Sequence, residues 1–248
     1  MINYIKAELY RVFNRMYFWV FYGSVAVFIL AVGVLLRAND VSIIKMSTIL
    51  ESSLNMMILP VFLITSILDM LTSEENKNLT MRNVITFGVP RYKIVLGKII
   101  TSIILAFVAA FMILIVLFGS GAALFGIDQG VSEILPVLFK RLLVAIPLWT
   151  GVISIGTFLA MAIKNNTIFG FAYLGVFLVT SKLIKLLAFL VSHKLIKLNN
   201  YLITTRLGAL GAQQISNKEL WSSACIGVLY TVIFAIITIM YFRRKEIK

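Results

Sequence analysis

The sequence predicts an all-α membrane protein with six transmembrane helices, and three observations carry that prediction. Six uncharged apolar runs occupy most of the 248 residues, and each approaches or exceeds the roughly 17 to 25 residues that carry a helix across a bilayer. A composition of 60% hydrophobic and 13% charged residues, with a mean hydropathy of +1.00, cannot be packed into one water-soluble core of this size. The runs are apolar all round, whereas strands of an outer-membrane barrel alternate every second residue, so the architecture is helical.

Residues 1–15 come first. Ile2, Ile5, Leu9, Val12, Phe13 and Met16 recur at helical spacing, while Asn3, Lys6, Glu8, Arg11 and Asn14 fill the other face. That pattern predicts an amphipathic helix lying on the membrane surface. Lys6, Arg11 and Arg15 precede the run 16–36 as the basic region of a cleaved leader would. The run exceeds the apolar stretch of a leader and no small-x-small cleavage site follows, so it is read as a retained crossing.

The second run, 52–68, carries Pro60, and the fourth, 142–163, carries Pro147; both remove a backbone donor and predict kinks. Asp69 lies just beyond the second run near Glu74 and Glu75, which places it at the interface rather than at a proton site. The third run, 99–127, contains the small-residue turn Gly119-Ser120-Gly121. Ala106 with Ala110, Ala122 with Gly126, and Gly156 with Ala160 are small residues four apart, which predicts helix contact faces. The fifth run, 165–181, meets Lys182 and Lys185 while its apolar character continues. A lysine near a helix centre costs about 2.5 to 3.5 kcal/mol, so the crossing is expected to finish near them. Residues 182–219 mix leucines with Lys194, Lys197 and Arg206, which predicts short helices at the outer interface before the sixth run, 220–242.

An even number of crossings puts both termini on one side. Thirteen of the 23 basic residues fall on that side and ten on the other, the latter mostly between Lys182 and Lys218. The bias predicts cytoplasmic termini in a cell membrane. The net charge of +13 is spread in short clusters at helix ends, a pattern of juxtamembrane anchoring in a lipid bilayer and not of a nucleic-acid face. Cys225, the single cysteine, lies inside the last run and is expected to be a buried small residue.

Enzyme signatures are sparse. Gly97 and Lys98 are followed by Ile99, with no glycine five residues before Gly97, so the chain has no phosphate-binding loop and is not expected to bind a nucleotide or other cofactor itself. His193 is the only histidine, which argues against a zinc site within one chain. It also leaves Ser120 without a base within the membrane for proteolysis. A channel would need a polar stripe, and Asn55, Thr65, Ser66, Tyr173 and Thr180 are too scattered to make one. It is the alternative reading, a membrane channel or pore without ATPase coupling.

The polar segment 72–98 carries the specific signal. Glu75 is followed by Thr80, Arg82, the apolar pair Val84 and Ile85, then Gly88, Val89, Pro90 and Arg91, with Lys98 opening the third crossing. Physically this is a short amphipathic helix broken at Gly88 and Pro90, then a second helical start that feeds the membrane. In these residues the chain resembles the permease subunits of type-2 ABC transporters. Glu75, Thr80, Arg82, Val84, Ile85, Pro90, Arg91 and Lys98 match that family's pattern in order and spacing. Leu79 departs from it, standing where the family commonly has glycine. The likeness extends over the whole chain, as one permease domain, 1–248, with a basic tail at Arg243, Arg244 and Lys245.

The resemblance implies a dimer of identical or related permeases with the substrate path between them and two ATPase chains, carrying ATP and magnesium, in the cytosol. The segment 72–98 would be a coupling helix gripped by the ATPase, through Glu75, Thr80, Arg82, Val84, Ile85, Pro90 and Arg91. Small permeases of this length look like those of bacterial efflux systems for antimicrobial peptides, lantibiotics or bacitracin. An exporter of a hydrophobic or amphipathic peptide or drug-like molecule is therefore the functional expectation.

Overall fold

The computed structural model describes residues 1–39, 45–73, 84, 86, 88–212 and 215–245. Among these residues there is no strand. In chain order the helices are α1 (Ile2–Phe13), α2 (Met16–Ala38), α3 (Met46–Asn55), α4 (Leu59–Leu68), α5 (Arg91–Phe125), α6 (Gly130–Ala162), α7 (Asn166–Leu174), α8 (Thr180–Leu190), α9 (Ile196–Asn199), α10 (Ile203–Ala209) and α11 (Asn217–Arg244). A π-helical turn, Asp69–Ser73, extends α4, and a second, Gly175–Val179, joins α7 to α8.

Among the described residues, five helices are long and apolar enough to cross a membrane: α2, α5, α6, the continuous Asn166–Leu190 and α11. With the bent pair α3 and α4 counted as one span there are six. Large apolar side chains such as Phe28, Phe111, Phe189 and Val232 point outward, as lipid-facing or partner-facing positions do. The chain is a multipass membrane protein.

Local chemistry sets the helix ends. Ser216 and Glu219 form a reciprocal capping box that starts α11. The Asn165 side chain accepts from the Thr167 and Ile168 amides to start α7. Pro60 sits in the first turn of α4, where its missing donor costs nothing. The predicted kink there is a break of 65° between α3 and α4. Pro147 instead lies within an unbroken α6.

A broken helix in a membrane leaves carbonyls that must find other donors. Trp149 of α6 donates to the Met57 carbonyl at 3.2 Å, Tyr173 of α7 to Val61 at 2.6 Å, and Tyr22 of α2 to Leu63 at 2.8 Å. Three helices thus hold the bent crossing by its backbone. The main core lies among α3, α4, α6, α7, α10 and α11 with the start of α5, and a smaller one joins α1, α2, the first π turn and α5.

The closest helix pair is α6 with α11. A Cβ at Gly227 would stand 2.5 Å from the Leu148 nitrogen, and one at Gly151 would stand 3.1 Å from the Gly227 carbonyl. Thr150 and Thr231 bond across the same interface at 3.1 Å. The expected contact at Gly156 is present, since a Cβ there would run into Leu68 and Tyr173. Gly126 plays another part: with φ +71 it ends α5.

Other expectations change as well. Gly119-Ser120-Gly121 forms no turn, because α5 runs through it unbroken and Gly121 gives room for the Met46 sulfur. Cys225 is exposed on the outer face of α11, not buried, because the face of that helix packed on α6 is the one carrying Gly227. The fifth span continues helically past Lys182 and Lys185 to Leu190. Beyond it, His193–Leu195, α9 and α10 are the short helices expected there, and Ile203 and Leu207 of α10 are buried against the bundle.

Candidate functional site

The site begins where the polar segment leaves and re-enters the bundle. Its outgoing stem is the π turn Asp69–Ser73, and its returning stem is the first two turns of α5. Of the expected coupling residues, Glu75, Thr80, Arg82 and Ile85 lie outside the described residues. Val84 is helical and half-buried against the main core, and Val89, beyond the helix, is half-buried there too. Gly88 turns the chain at φ +81, a conformation that favours glycine. Pro90 is exposed and caps α5 with an extended backbone, φ −58 and ψ 136.

Arg91 lies in the first turn of α5 and reaches the far end of the chain. Its Nη1 stands 2.9 Å from each of the carbonyls of Phe242, Arg243 and Lys245, and its guanidinium lies 5.9 Å from the centre of the Phe242 ring. These are carbonyls that the C-terminus of a helix leaves without intrahelical partners, and a cation there also answers the helix dipole. Lys245 repeats the device one helix over, donating to the Met161 carbonyl at the end of α6. Burial and the neighbouring Lys164 hold the Lys245 ammonium below its ordinary pKa. An open hollow of about 450 Å³, lined by Arg91, Tyr92, Ile239 and Arg243, lies beside this junction.

Lys98 is wholly buried, two turns further along α5. Its Nζ donates to the Leu71 carbonyl of the π turn at 2.6 Å and to Glu8 Oε1 at 3.1 Å. Arg11 Nη2 stands 2.6 Å from Glu8 Oε2 and donates to the same Leu71 carbonyl at 3.2 Å. Burial pushes the Glu8 carboxyl up, but the Lys98 ammonium and the Arg11 guanidinium outweigh it and hold the pKa below its ordinary value. Burial and the Glu8 charge raise the neighbouring Tyr4 hydroxyl well above the usual range. The Tyr4 ring fills the space over Gly97, where a Cβ would stand 2.5 Å from Cδ1.

One residue of α1 departs from the expected pattern: Glu8 belongs to the predicted solvent face but is 4% exposed, whereas Leu9, Val12 and Phe13 of the apolar face pack inward as expected. The physical reason is a partner 90 residues away: a carboxylate enters a protein interior when a buried ammonium meets it there. Removing one member of such a buried pair typically costs about 3 to 5 kcal/mol, because the other charge is left uncompensated. Glu8 and Arg11 carry no local signal of this role.

At the opposite end of the bundle lies a larger hollow of about 670 Å³, lined by Lys140, Arg141 and Glu219 among others. Both cations already hold backbone or side-chain partners, Lys140 on Asn217 Oδ1 at 2.8 Å and Arg141 on the Leu210 carbonyl at 2.7 Å.

The family model for ABC-2 family transporter proteins matches residues 4–179, more than two thirds of the chain. The chain belongs to that family. It is a membrane subunit of an ABC transporter, of a family that associates generally with ABC ATPase partners. No curated protein matches this permease significantly. The match takes in α1, the bent crossing, both stems of the polar segment and the π turn of the fifth span.

Proposed function

We propose that this permease forms half of the substrate path of an ATP-driven exporter, paired with a second identical or related permease and driven by two separate ATPase chains in the cytosol. The polar segment is the coupling helix. Nucleotide-driven closure of the ATPase chains pushes on it, and the push reaches the crossings through its two stems. The observation that best supports this reading is the anchoring of those stems: one is held at Leu71 by Lys98 and Arg11, the other at Arg91 by the end of α11. A lever transmits force only when its base is fixed. Val84 and Ile85 supply apolar contact to the ATPase, with Glu75, Thr80, Arg82, Pro90 and Arg91 framing them. The cargo is a hydrophobic or amphipathic peptide or drug-like molecule, of the antimicrobial, lantibiotic or bacitracin type, and both termini face the cytoplasm.

The test is purification of the tagged permease in mild detergent. An ATP-binding chain should copurify, and hydrolysis should be found in the assembly but not in the permease alone, which lacks a phosphate-binding loop. Hydrolysis by the pure permease contradicts the proposal, and a permease that transports with no ATPase bound contradicts it and favours a channel.

A further inference from the structure

We propose that Glu8 and Lys98 are positioning residues for coupling: their buried pair joins α1 and the two stems of the polar segment into one rigid unit, so α1 moves with the segment as a strut. The inference rests on the proposed ATPase coupling for its consequence, though not for the rigid unit itself.

Three elements meet at one point. Lys98 supplies the α5 stem, Leu71 the stem from the second crossing, and Glu8 with Arg11 the helix α1. The Lys98 hydrogen bond to Leu71 closes the base of the polar segment on itself, since these residues flank it. The same ammonium then binds α1 through Glu8. An apolar contact would hold α1 without fixing its rotation, whereas an ion pair with two carbonyl contacts is directional and has one geometry. Shape adds a second key beside the charge, because Gly97 lets the Tyr4 ring lie against α5 one residue before Lys98. Val12, a turn beyond Glu8, is buried in the same small core as Met70 and Leu71. Apart from its join to α2, where Trp19 donates to the Phe13 carbonyl at 2.8 Å, α1 is held at the stems.

The experiment compares wild type with Glu8→Gln, Lys98→Met and the double variant, and with Gly97→Ala, which crowds the Tyr4 ring without removing a charge. The double variant removes both charges of the buried pair, and Arg11, 28% exposed, keeps solvent and the Leu71 carbonyl as partners, so it keeps the bundle folded if a single variant does not. Amide hydrogen exchange on the full permease should rise at least tenfold over residues 2–13 and also over 84–98, with α6 and α11 unchanged. In the assembled transporter the same variants should go on hydrolysing ATP while transport per ATP falls at least fivefold. Exchange that rises in α1 but not over 84–98, or unchanged transport per ATP in a variant whose α1 has loosened, overturns the inference. If wild type binds no ATPase, the proposed function fails, and the exchange pattern alone still decides whether the rigid unit exists.

Discussion

Replacing Arg91 by Gln separates its contact with the end of α11 from any contact with a partner. One nitrogen faces three carbonyls at 2.9 Å, and with two hydrogens it satisfies two well at a time. Charge-assisted hydrogen bonds contribute about 1.5 to 3 kcal/mol each when buried, and the half-exposed setting of Arg91 puts these at or below the lower end. The helix dipole adds about 0.3 to 1 kcal/mol, and the stacking over Phe242 contributes on the order of 0.5 kcal/mol. Because the amide at 91 still donates weakly, a net loss of roughly 2 to 3 kcal/mol is expected, localised to the last turns of α11. At about 1.4 kcal/mol per tenfold, opening there should become about 30- to 100-fold more frequent. Hydrogen exchange over residues 239–245 in nanodiscs reads this directly. Exchange unchanged by Arg91→Gln would show that the guanidinium does not hold α11, and the anchored-stem account would lose one of its two supports.

Gly227→Ala should destabilise the bundle by about 1 to 3 kcal/mol, since its Cβ meets backbone of α6. Gly23→Ala, with nothing within 4 Å, is the control and should be neutral or slightly stabilising in a thermal melt. Cysteines at Asn78 and Asn200, in a Cys225→Ala background, should label from opposite sides of intact cells, the second from outside; labelling of both from one side defeats the six-crossing topology. Because Glu8 has a depressed pKa from Lys98 on α5 and Arg11 beside it, and Tyr4 stays neutral, its contribution to docking α1 should be complete above roughly pH 4.3 and lost as pH falls through the lowered value. Exchange over residues 2–13 should therefore be equally slow, after correction for intrinsic rates, at about pH 6.5 and pH 5.

The crossings were legible because span length and apolar content are local properties: the run 16–36 became Met16–Ala38 and the run 220–242 became Asn217–Arg244. Helix starts were uneven: the second helical start expected after Pro90 is α5 at Arg91, whereas α6 begins at Gly130, well before its uncharged stretch. Pro60 announced a kink, but not the bonds by which Trp149, Tyr173 and Tyr22 reach the carbonyls of the bent crossing from three other helices, 41 to 112 residues away. Glu8 was assigned to the wrong face for the same reason. Helical periodicity sorts residues by polarity, and a buried ion pair is polar and interior together. Lys98 and Arg91 stood out in the sequence for their place in the polar segment, yet nothing there pointed to Glu8 or to the end of α11 as their partners.

The central claim is that the polar segment is gripped by an ATPase. Ile85→Asp tests it most directly, because an aspartate at an apolar contact breaks the grip while a mere connector would leave it harmlessly exposed. The tagged variant and wild type are pulled down side by side, and bound ATPase is compared with transport or resistance in cells. The account predicts a variant that inserts and folds normally but loses most of its ATPase and its transport. Full ATPase recovery with full transport would contradict it.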